Sequence, residues 1–295
     1  MPDTKPLLDP DFLARLQRLE IVSKKIFVGK TKGERLSRRK GQSVEFADFR
    51  SYAVGDDLRF LDWNLFARLD RLFLRLFLEE EDLHVYLLID NSLSMDFGSP
   101  TKLRYAKQLV ASLGFVGLVN QDRVMVEAFN DQLTQSSPAL RGRKSLWRLI
   151  DFLDKLDPAG PSDLTQALRT FSLKASGKGV VVVVSDFMDK GGYEEALRYL
   201  VARQLDIYVI QVLSQEEIEP DVVGDLRLTD IEDDDVAEIT VTGPLLKRYK
   251  QNLAAYQAAL HDFCTRRGAT YLFTSTQVPF ERLVLSYLRQ RGLVR

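Results

Sequence analysis

Residues 179–185 read Gly-Val-Val-Val-Val-Val-Ser, and an aspartate, Asp186, follows directly. Five successive β-branched residues favour a β-strand, and the run has no alternation of apolar and polar positions. A strand of this kind is buried on both faces, which is typical of a parallel sheet covered by helices on its two sides. This stretch therefore predicts an α/β protein.

The sequence on either side of this strand alternates between strand-like and helix-like segments. Residues 83–89 form an apolar strand that ends at Asp90, and residues 101–119 carry apolar side chains at three- and four-residue steps. This alternation predicts a doubly wound, mostly parallel sheet with helices on both faces. Further strands are predicted at 123–129, 206–213 and 270–273, and further helices at 145–156, 163–173, 193–203, 247–266 and 280–289.

Two segments depart from the alternation and suggest how the chain is divided. Residues 1–80 are predicted as an N-terminal elaboration, residues 81–295 as the α/β domain, and about 214–243 as an acidic β-hairpin inserted in it. The hairpin turns at Asp233–Asp235. Within the elaboration we expect a short helix at 8–20, a basic irregular arm at 24–43, a charged and aromatic segment, and a strand at 72–78 that forms a hairpin with 83–89 through a turn at Glu79–Asp82.

Composition excludes several classes of protein. The 295 residues include one cysteine, Cys264, and two histidines, so a disulfide or a cysteine-rich zinc site is excluded and histidine-based metal catalysis is disfavoured. The net charge of −1 argues against a general nucleic-acid binder. The longest strongly apolar run, 180–184, is far shorter than the ~20 residues of a membrane span, and no secretory signal is visible, so we expect a cytoplasmic protein without a membrane segment.

Charge is distributed unevenly along the chain. The stretch from Lys24 to Lys40 holds eight bases and one acid, and the stretch from Ser214 to Glu238 holds eleven acids and one base. Both stretches are consistent with solvated surface segments or with two docking surfaces of opposite sign.

Oxygen-bearing side chains follow the predicted strands, where ligands of open α/β sheets bind. Asp90, Ser92 and Ser94 have a period of two, which directs three oxygens to one side, and Asp186 follows the valine strand. Ser162 precedes the helix predicted at 163–173. These hard oxygen donors suit Mg²⁺ or Mn²⁺, and we predict a metal site built from all five residues. Local structure offers the alternative, with an Asx-type turn at Asp90, an N-cap at Ser162 and a loop carboxylate at Asp186.

The segment from Arg50 to Arg75 combines paired charges with aromatic residues. Its acids would repel nucleic-acid phosphates, so we interpret it as a staple of ion pairs and aromatic rings that holds the segment to the sheet. Residues 50–63 read Arg-Ser-Tyr-Ala-Val-Gly-Asp-Asp-Leu-Arg-Phe-Leu-Asp-Trp. This string, with Ala67-Arg68 after it, resembles the signature of the bacterial domain-of-unknown-function family 58. The residues that carry the resemblance are Arg50, Tyr52, Gly55, Asp56, Asp57, Arg59, Asp62 and Trp63.

The stretch Asp90-Asn-Ser-Leu-Ser94 resembles the first motif of the metal-ion-dependent adhesion site of von Willebrand factor A domains. Together the two resemblances cover about residues 20–290 and imply a doubly wound sheet with a metal at its rim. By motif position, Asp90, Ser92 and Ser94 match the first loop, Ser162 matches the threonine of the second, and Asp186 matches the aspartate of the third. The second loop departs from the pattern, since it reads Gly-Pro-Ser where Gly-Gly-Thr is usual, and serine lacks the methyl group that fixes the rotamer.

The resemblance also implies a role. Proteins of this family are commonly encoded beside MoxR-type AAA+ ATPases, which implies chaperone-like work or complex assembly with such a partner. We therefore predict a non-catalytic, metal-dependent interaction module. A carboxylate of the partner protein would complete the coordination shell of its metal ion. One alternative is a Mg²⁺-dependent phosphohydrolase of the haloacid-dehalogenase type, with Asp90 as nucleophile and Asp186 and Asp189 on the ion, although Ser92 stands where its acid/base aspartate belongs. The other is a metal-free scaffold that uses the basic arm and the acidic hairpin.

Overall fold

The structure, a computed structural model, describes residues 6–23, 46–77, 83–203, 205–222, 224–229, 231 and 236–295. The chain divides into two units. Unit 1 comprises Met1–Lys32 and Leu83–Arg295, and unit 2 comprises Gly33–Asp82. The basic arm, the Glu79–Asp82 turn and the Asp233–Asp235 turn of the sequence analysis lie outside the described residues.

The N-terminal segment belongs to unit 1, which differs from the predicted boundary near residue 80. Its helix α1 (Pro10–Leu16) is capped by Asp9 and buries Phe12 and Leu16. The Phe12 ring lies edge-on to the ring of Phe280, with centroids 5.3 Å apart. Farther along, Ile21 forms an antiparallel bridge with Val294. These apolar side chains complete the core of unit 1, which is why the segment is not part of a separate elaboration.

Unit 2 is a β-hairpin with a short helix between its strands. Strand β1 (Phe46–Ser51) pairs antiparallel with β2 (Phe73–Phe77), and α2 (Trp63–Leu69) is capped by the carboxylate of Asp62. The prediction that the strand at 72–78 pairs with the strand at 83–89 is therefore wrong. The strand that begins at His84 has both of its edges occupied inside the parallel sheet of unit 1.

The charged residues of the signature segment form ion pairs, as expected. Arg50 pairs with Asp56 at 2.8 Å, and Arg59 pairs with Asp57 at 2.6 Å. However, Trp63 is 62% exposed, and none of the described side chains of α2 is buried.

A six-stranded sheet forms the centre of unit 1. The strand order is β10-β7-β6-β3-β4-β5, and all neighbouring pairs are parallel except β4 and β5. Beside it, β8 and β9 pair as the antiparallel hairpin that the sequence predicts in the acidic region. The strands of unit 1 are β3 (His84–Asp90), β4 (Arg123–Phe129), β5 (Leu133–Ser136), β6 (Gly179–Ser185), β7 (Leu205–Leu213), β8 (Gly224–Thr229), β9 (Val236–Val241) and β10 (Thr270–Ser275).

Helices cover both faces of this sheet, which confirms the predicted α/β class. The valines of β6 divide between two hydrophobic clusters, with Val180, Val182 and Val184 in one and Val181 and Val183 in the other. The first cluster also contains α1, α3, α4 and the C-terminal helical segment, and the second contains α5, α6 and the end of α8. These helices are α3 (Lys102–Val119), α4 (Leu146–Asp154), α5 (Leu164–Lys174), α6 (Glu194–Val201), α7 (Gln215–Ile218), α8 (Gly243–Arg266), α9 (Phe280–Arg282), a π-helical turn (Leu283–Tyr287) and α10 (Leu288–Gln290).

None of the helices in the described part of the chain combines the length and the apolar composition that crossing a membrane requires.

Candidate functional site

The strand order places the site at the point where the sheet changes winding direction. From β3 the chain crosses to β4 on one side, and it later returns to place β6 on the other side of β3. The loops that leave the carboxyl ends of β3 and β6 therefore diverge and leave a crevice, which is where open α/β sheets bind their ligands. Asp90 ends β3, and Asp186 follows β6, so both lie at this crevice.

Asp90 is a fully buried carboxylate held by hydroxyl groups. Its Oδ1 accepts hydrogen bonds from the Ser92 amide at 3.0 Å and the Ser92 hydroxyl at 2.7 Å. Its Oδ2 accepts a bond from the Ser185 hydroxyl at 2.6 Å. Burial, followed by the negative charge of Asp186, raises the pKa of Asp90 to about 7. These hydrogen bonds fix the carboxylate, and the surrounding protein disfavours its charge.

Ser92 and Ser94 share one side of the first loop, as their period of two predicts. Their hydroxyl oxygens lie 3.0 Å apart, and Ser92 is fully buried. The first loop thus presents two neighbouring hydroxyl groups backed by the Asp90 carboxylate.

The second loop docks on the first through backbone hydrogen bonds. The Leu93 amide donates to the Gly160 carbonyl at 3.0 Å, and the Asn91 side chain donates to the Asp157 carbonyl at 3.0 Å. Ser162, which is half-buried, follows Gly160 by two residues and is brought to the rim by this docking. The N-cap of α5 is Asp163, whose carboxylate accepts the Gln166 amide at 2.8 Å. Ser162 therefore does not have the capping role that the sequence analysis considered.

The third loop is held in a strained conformation by hydrogen bonds from two polar side chains. Phe187 has a φ of 57°, in the left-handed region that a non-glycine residue rarely adopts. Its carbonyl accepts a hydrogen bond from the Tyr256 hydroxyl, and the Asp186 carbonyl accepts one from the Gln211 side chain at 2.8 Å. Asp189 continues the loop and accepts the Leu164 amide at 2.8 Å, which ties the third loop to the start of α5. Strain of this kind persists where the surroundings over-determine the backbone, as at binding sites.

Two charged residues at the site were missed by the sequence analysis. The ammonium group of Lys102, which is 1% exposed, lies 2.7 Å from Asp186 Oδ2 and 2.5 Å from Glu217 Oε1. Burial acts to lower the pKa of Lys102, but the charges of Asp186 and Glu217 outweigh it, so the pKa is raised. Glu217 belongs to a capping box with Ser214 at the start of α7, and the sequence Ser-x-x-Glu is a visible signal for that motif. Lys102, the first residue of α3, has no such signal, because a lysine at a helix start is normally solvated.

The balance of charges at the rim bears on whether a divalent cation fits there. The rim has three carboxyl groups, those of Asp90, Asp186 and Glu217, and in the described part of the chain the buried cation Lys102 pairs with the last two. Asp90 accepts its hydrogen bonds from neutral groups of Ser92 and Ser185, so a cation beside Ser92 and Ser94 would offset its charge. The described ranges hold no group of three or more histidine, cysteine, aspartate or glutamate side chains placed to bind a metal. A metal here would depend on serine hydroxyls, and this set of hard oxygen donors suits Mg²⁺ or Mn²⁺.

Comparison with known proteins gives a family match. Residues 48–259 match the model of the family described as "Protein of unknown function DUF58". Two relatives, the uncharacterized proteins Rv1480 of Mycobacterium tuberculosis and Mb1516 of Mycobacterium bovis, are each 28% identical over 291 residues, which span 96% of this chain and 92% of theirs.

Solved structures with a similar fold include BatB from Bacteroides thetaiotaomicron, with 14% identity and a TM-score of 0.46. That match covers 70% of this chain and 98% of the BatB chain. The VWA domain of SpRpn10 is 11% identical with a TM-score of 0.41, covering 68% of this chain and 93% of that domain. Both likenesses concern the fold alone.

Proposed function

The chain belongs to the DUF58 family of proteins of unknown function, and we propose that it is a non-catalytic protein-interaction module that binds its partner through the rim of unit 1. The observation that carries the proposal is Asp90, a fully buried carboxylate with neutral hydrogen-bond partners, beside two adjacent serine hydroxyls in a loop on which the second loop docks. A rigid, polar and only partly neutralised crevice of this kind suits recognition of an ion and a partner group together.

In this proposal the rim holds Mg²⁺ or Mn²⁺ when the module is active. Ser92 and Ser94 would hold the ion directly from the first loop, and Ser162 and Asp186 would contribute from the second and third. Asp90 would balance its charge through the hydroxyl of Ser92, which it already orients at 2.7 Å. When bound, the ion supplies a Lewis-acidic centre that accepts one further oxygen ligand.

The partner group that fits such a centre is a carboxylate. An ion bound mainly by neutral hydroxyl groups remains electrophilic, so an aspartate or glutamate side chain of a partner would complete its coordination. The partner we propose is a MoxR-type AAA+ ATPase, in complex assembly or chaperone-like work, because the family resemblance implies it.

The decisive test is co-purification with a MoxR-type ATPase of the same organism, in Mg²⁺ and in EDTA. We expect association in Mg²⁺ and loss in EDTA, with the Ser94→Ala and Asp90→Ala variants impaired in Mg²⁺. Ser145→Ala is the matched control, since it removes a hydroxyl that donates to the local Arg141 carbonyl at 2.8 Å and not to a rim residue. Association that persists unchanged in EDTA would show that the rim metal does not mediate docking.

A further inference from the structure

Lys102 connects two of the loops at the rim. It is the first residue of α3, and its side chain extends from there to the loops that follow β6 and β7. At 1% exposure its ammonium group is withdrawn from water, which is costly unless carboxylates surround it. Asp186 and Glu217 provide those carboxylates at 2.7 Å and 2.5 Å.

In this arrangement both oxygens of the third-loop carboxylate already accept hydrogen bonds. Asp186 Oδ2 accepts from Lys102, and Asp186 Oδ1 accepts the Met188 amide at 3.0 Å. A divalent cation that used Asp186 would therefore meet a positive charge already bound to the same carboxylate. Like charges a few ångströms apart in a poorly solvated site repel strongly.

We propose that Lys102 is a tethered competitor for the divalent cation at the rim. Its ammonium group holds Asp186 in the metal-free protein and must yield that carboxylate before the third loop can contribute to the ion. Glu217 provides the alternative partner, because its side chain is 24% exposed and already shares the ammonium group. The inference rests on the proposed function, and it implies that the isolated chain binds the ion weakly.

The first variant to test is the double substitution Lys102→Met/Glu217→Gln. It removes one positive and one negative charge, so the net charge of the cluster is unchanged and Asp186 is left without its ammonium partner. Methionine keeps a side chain of similar length. Glutamine keeps an oxygen that can accept the hydrogen bond from the Ser214 amide, which in the wild type goes to Glu217 Oε2 at 2.7 Å. We expect Mg²⁺ to bind at least about tenfold more tightly than to the wild type in calorimetric titration of metal-stripped protein.

The two single variants serve as matched controls, because they are expected to change Mg²⁺ affinity in different ways. Glu217→Gln leaves Lys102 with Asp186 alone, so we expect Mg²⁺ affinity equal to or below that of the wild type. Lys102→Met is expected to bind Mg²⁺ more tightly and to have a lower melting temperature in EDTA than in Mg²⁺, because it leaves two carboxylates without their cation. If Lys102→Met does not fold in EDTA, the double variant carries the test.

Two outcomes overturn the inference. One is Mg²⁺ affinity in the double variant equal to or below that of the wild type. The other is an equal gain in Glu217→Gln, which would indicate a loosened loop rather than a removed competitor. Failure of the proposed function is seen separately, as partner binding by the wild type that does not depend on Mg²⁺.

Discussion

Asp90 is a carboxylate at a position where a negative charge is costly. It is fully buried, and its pKa of about 7 lies well above the ordinary carboxyl value of 3.8. The folded protein therefore holds the proton more tightly than the unfolded chain. Stability from this group is complete below the unfolded value near pH 4 and is lost as the pH rises through 7. A residue that costs stability at neutral pH fits a role in binding.

The corresponding prediction is that Asp90→Asn separates stability from function. In EDTA at pH 8 we expect the variant to be as stable as the wild type or more stable by roughly 1–3 kcal/mol, because it has no buried charge. Chemical denaturation at pH 5 and pH 8 measures this, and the advantage should grow with pH. In Mg²⁺ the same variant should lose metal and partner binding. If the free energies of unfolding of the two proteins changed with pH in the same way, the raised pKa of Asp90 would be contradicted.

Cys264, the single cysteine, provides a second prediction at this scale. Burial raises the pKa of its thiol to about 12, so little reactive thiolate forms near neutral pH. We expect iodoacetamide at pH 8 to leave the folded protein unmodified and to label Cys264 after denaturation, as mass spectrometry would show. Labelling of the folded protein at the unfolded rate would mean that the second hydrophobic cluster opens readily.

Among the elements, α1 and α2 are equally long but differ in what they cover. Phe12 in α1 is 1% exposed, whereas Trp63 in α2 is 62% exposed and contacts Phe66 edge-on with centroids 6.3 Å apart. We expect Phe12→Ala to destabilise unit 1 by about 3–5 kcal/mol and Trp63→Ala to cost less than about 1 kcal/mol. Urea unfolding followed by circular dichroism measures both. A loss of several kcal/mol in Trp63→Ala would support the staple interpretation.

The elements also show what a sequence pattern can predict. The valine strand β6 and helix α3 lie where the sequence predicts them, because burial on two faces and a three–four periodicity leave a strong local signal. The sequence does not predict the strand that pairs with β2, since strand pairing depends on which edges remain free in the folded sheet. At the site, Asp90 and Ser92 were recognisable from their spacing, but the position of Lys102 depends on loops more than 80 residues away in sequence.

At the scale of the whole molecule, the core of unit 1 is complete without unit 2. Every described residue of the two hydrophobic clusters lies within residues 7–21 or 83–294. We therefore expect a variant in which a flexible linker of about twenty glycines and serines replaces residues 33–82 to fold cooperatively. Its Mg²⁺ affinity should equal that of the intact chain. Loss of cooperative thermal unfolding would show that unit 1 needs the segment that was replaced.

The bridge between Ile21 and Val294 and the packing of Phe12 on Phe280 have a consequence during synthesis on the ribosome. The N-terminal segment is made long before the residues near Phe280 and Val294 that cover part of its apolar surface, whereas α3, which covers another part, follows much sooner. At typical elongation rates the interval is roughly 10–50 s, far longer than a helix needs to form. Throughout that time Phe12 lacks its contact with the ring of Phe280, and Ile21 lacks its bridge to Val294. The packing of residues 7–21 therefore cannot be completed until residues 280–294 have been made, and the part of this segment that they cover remains available to chaperones until then.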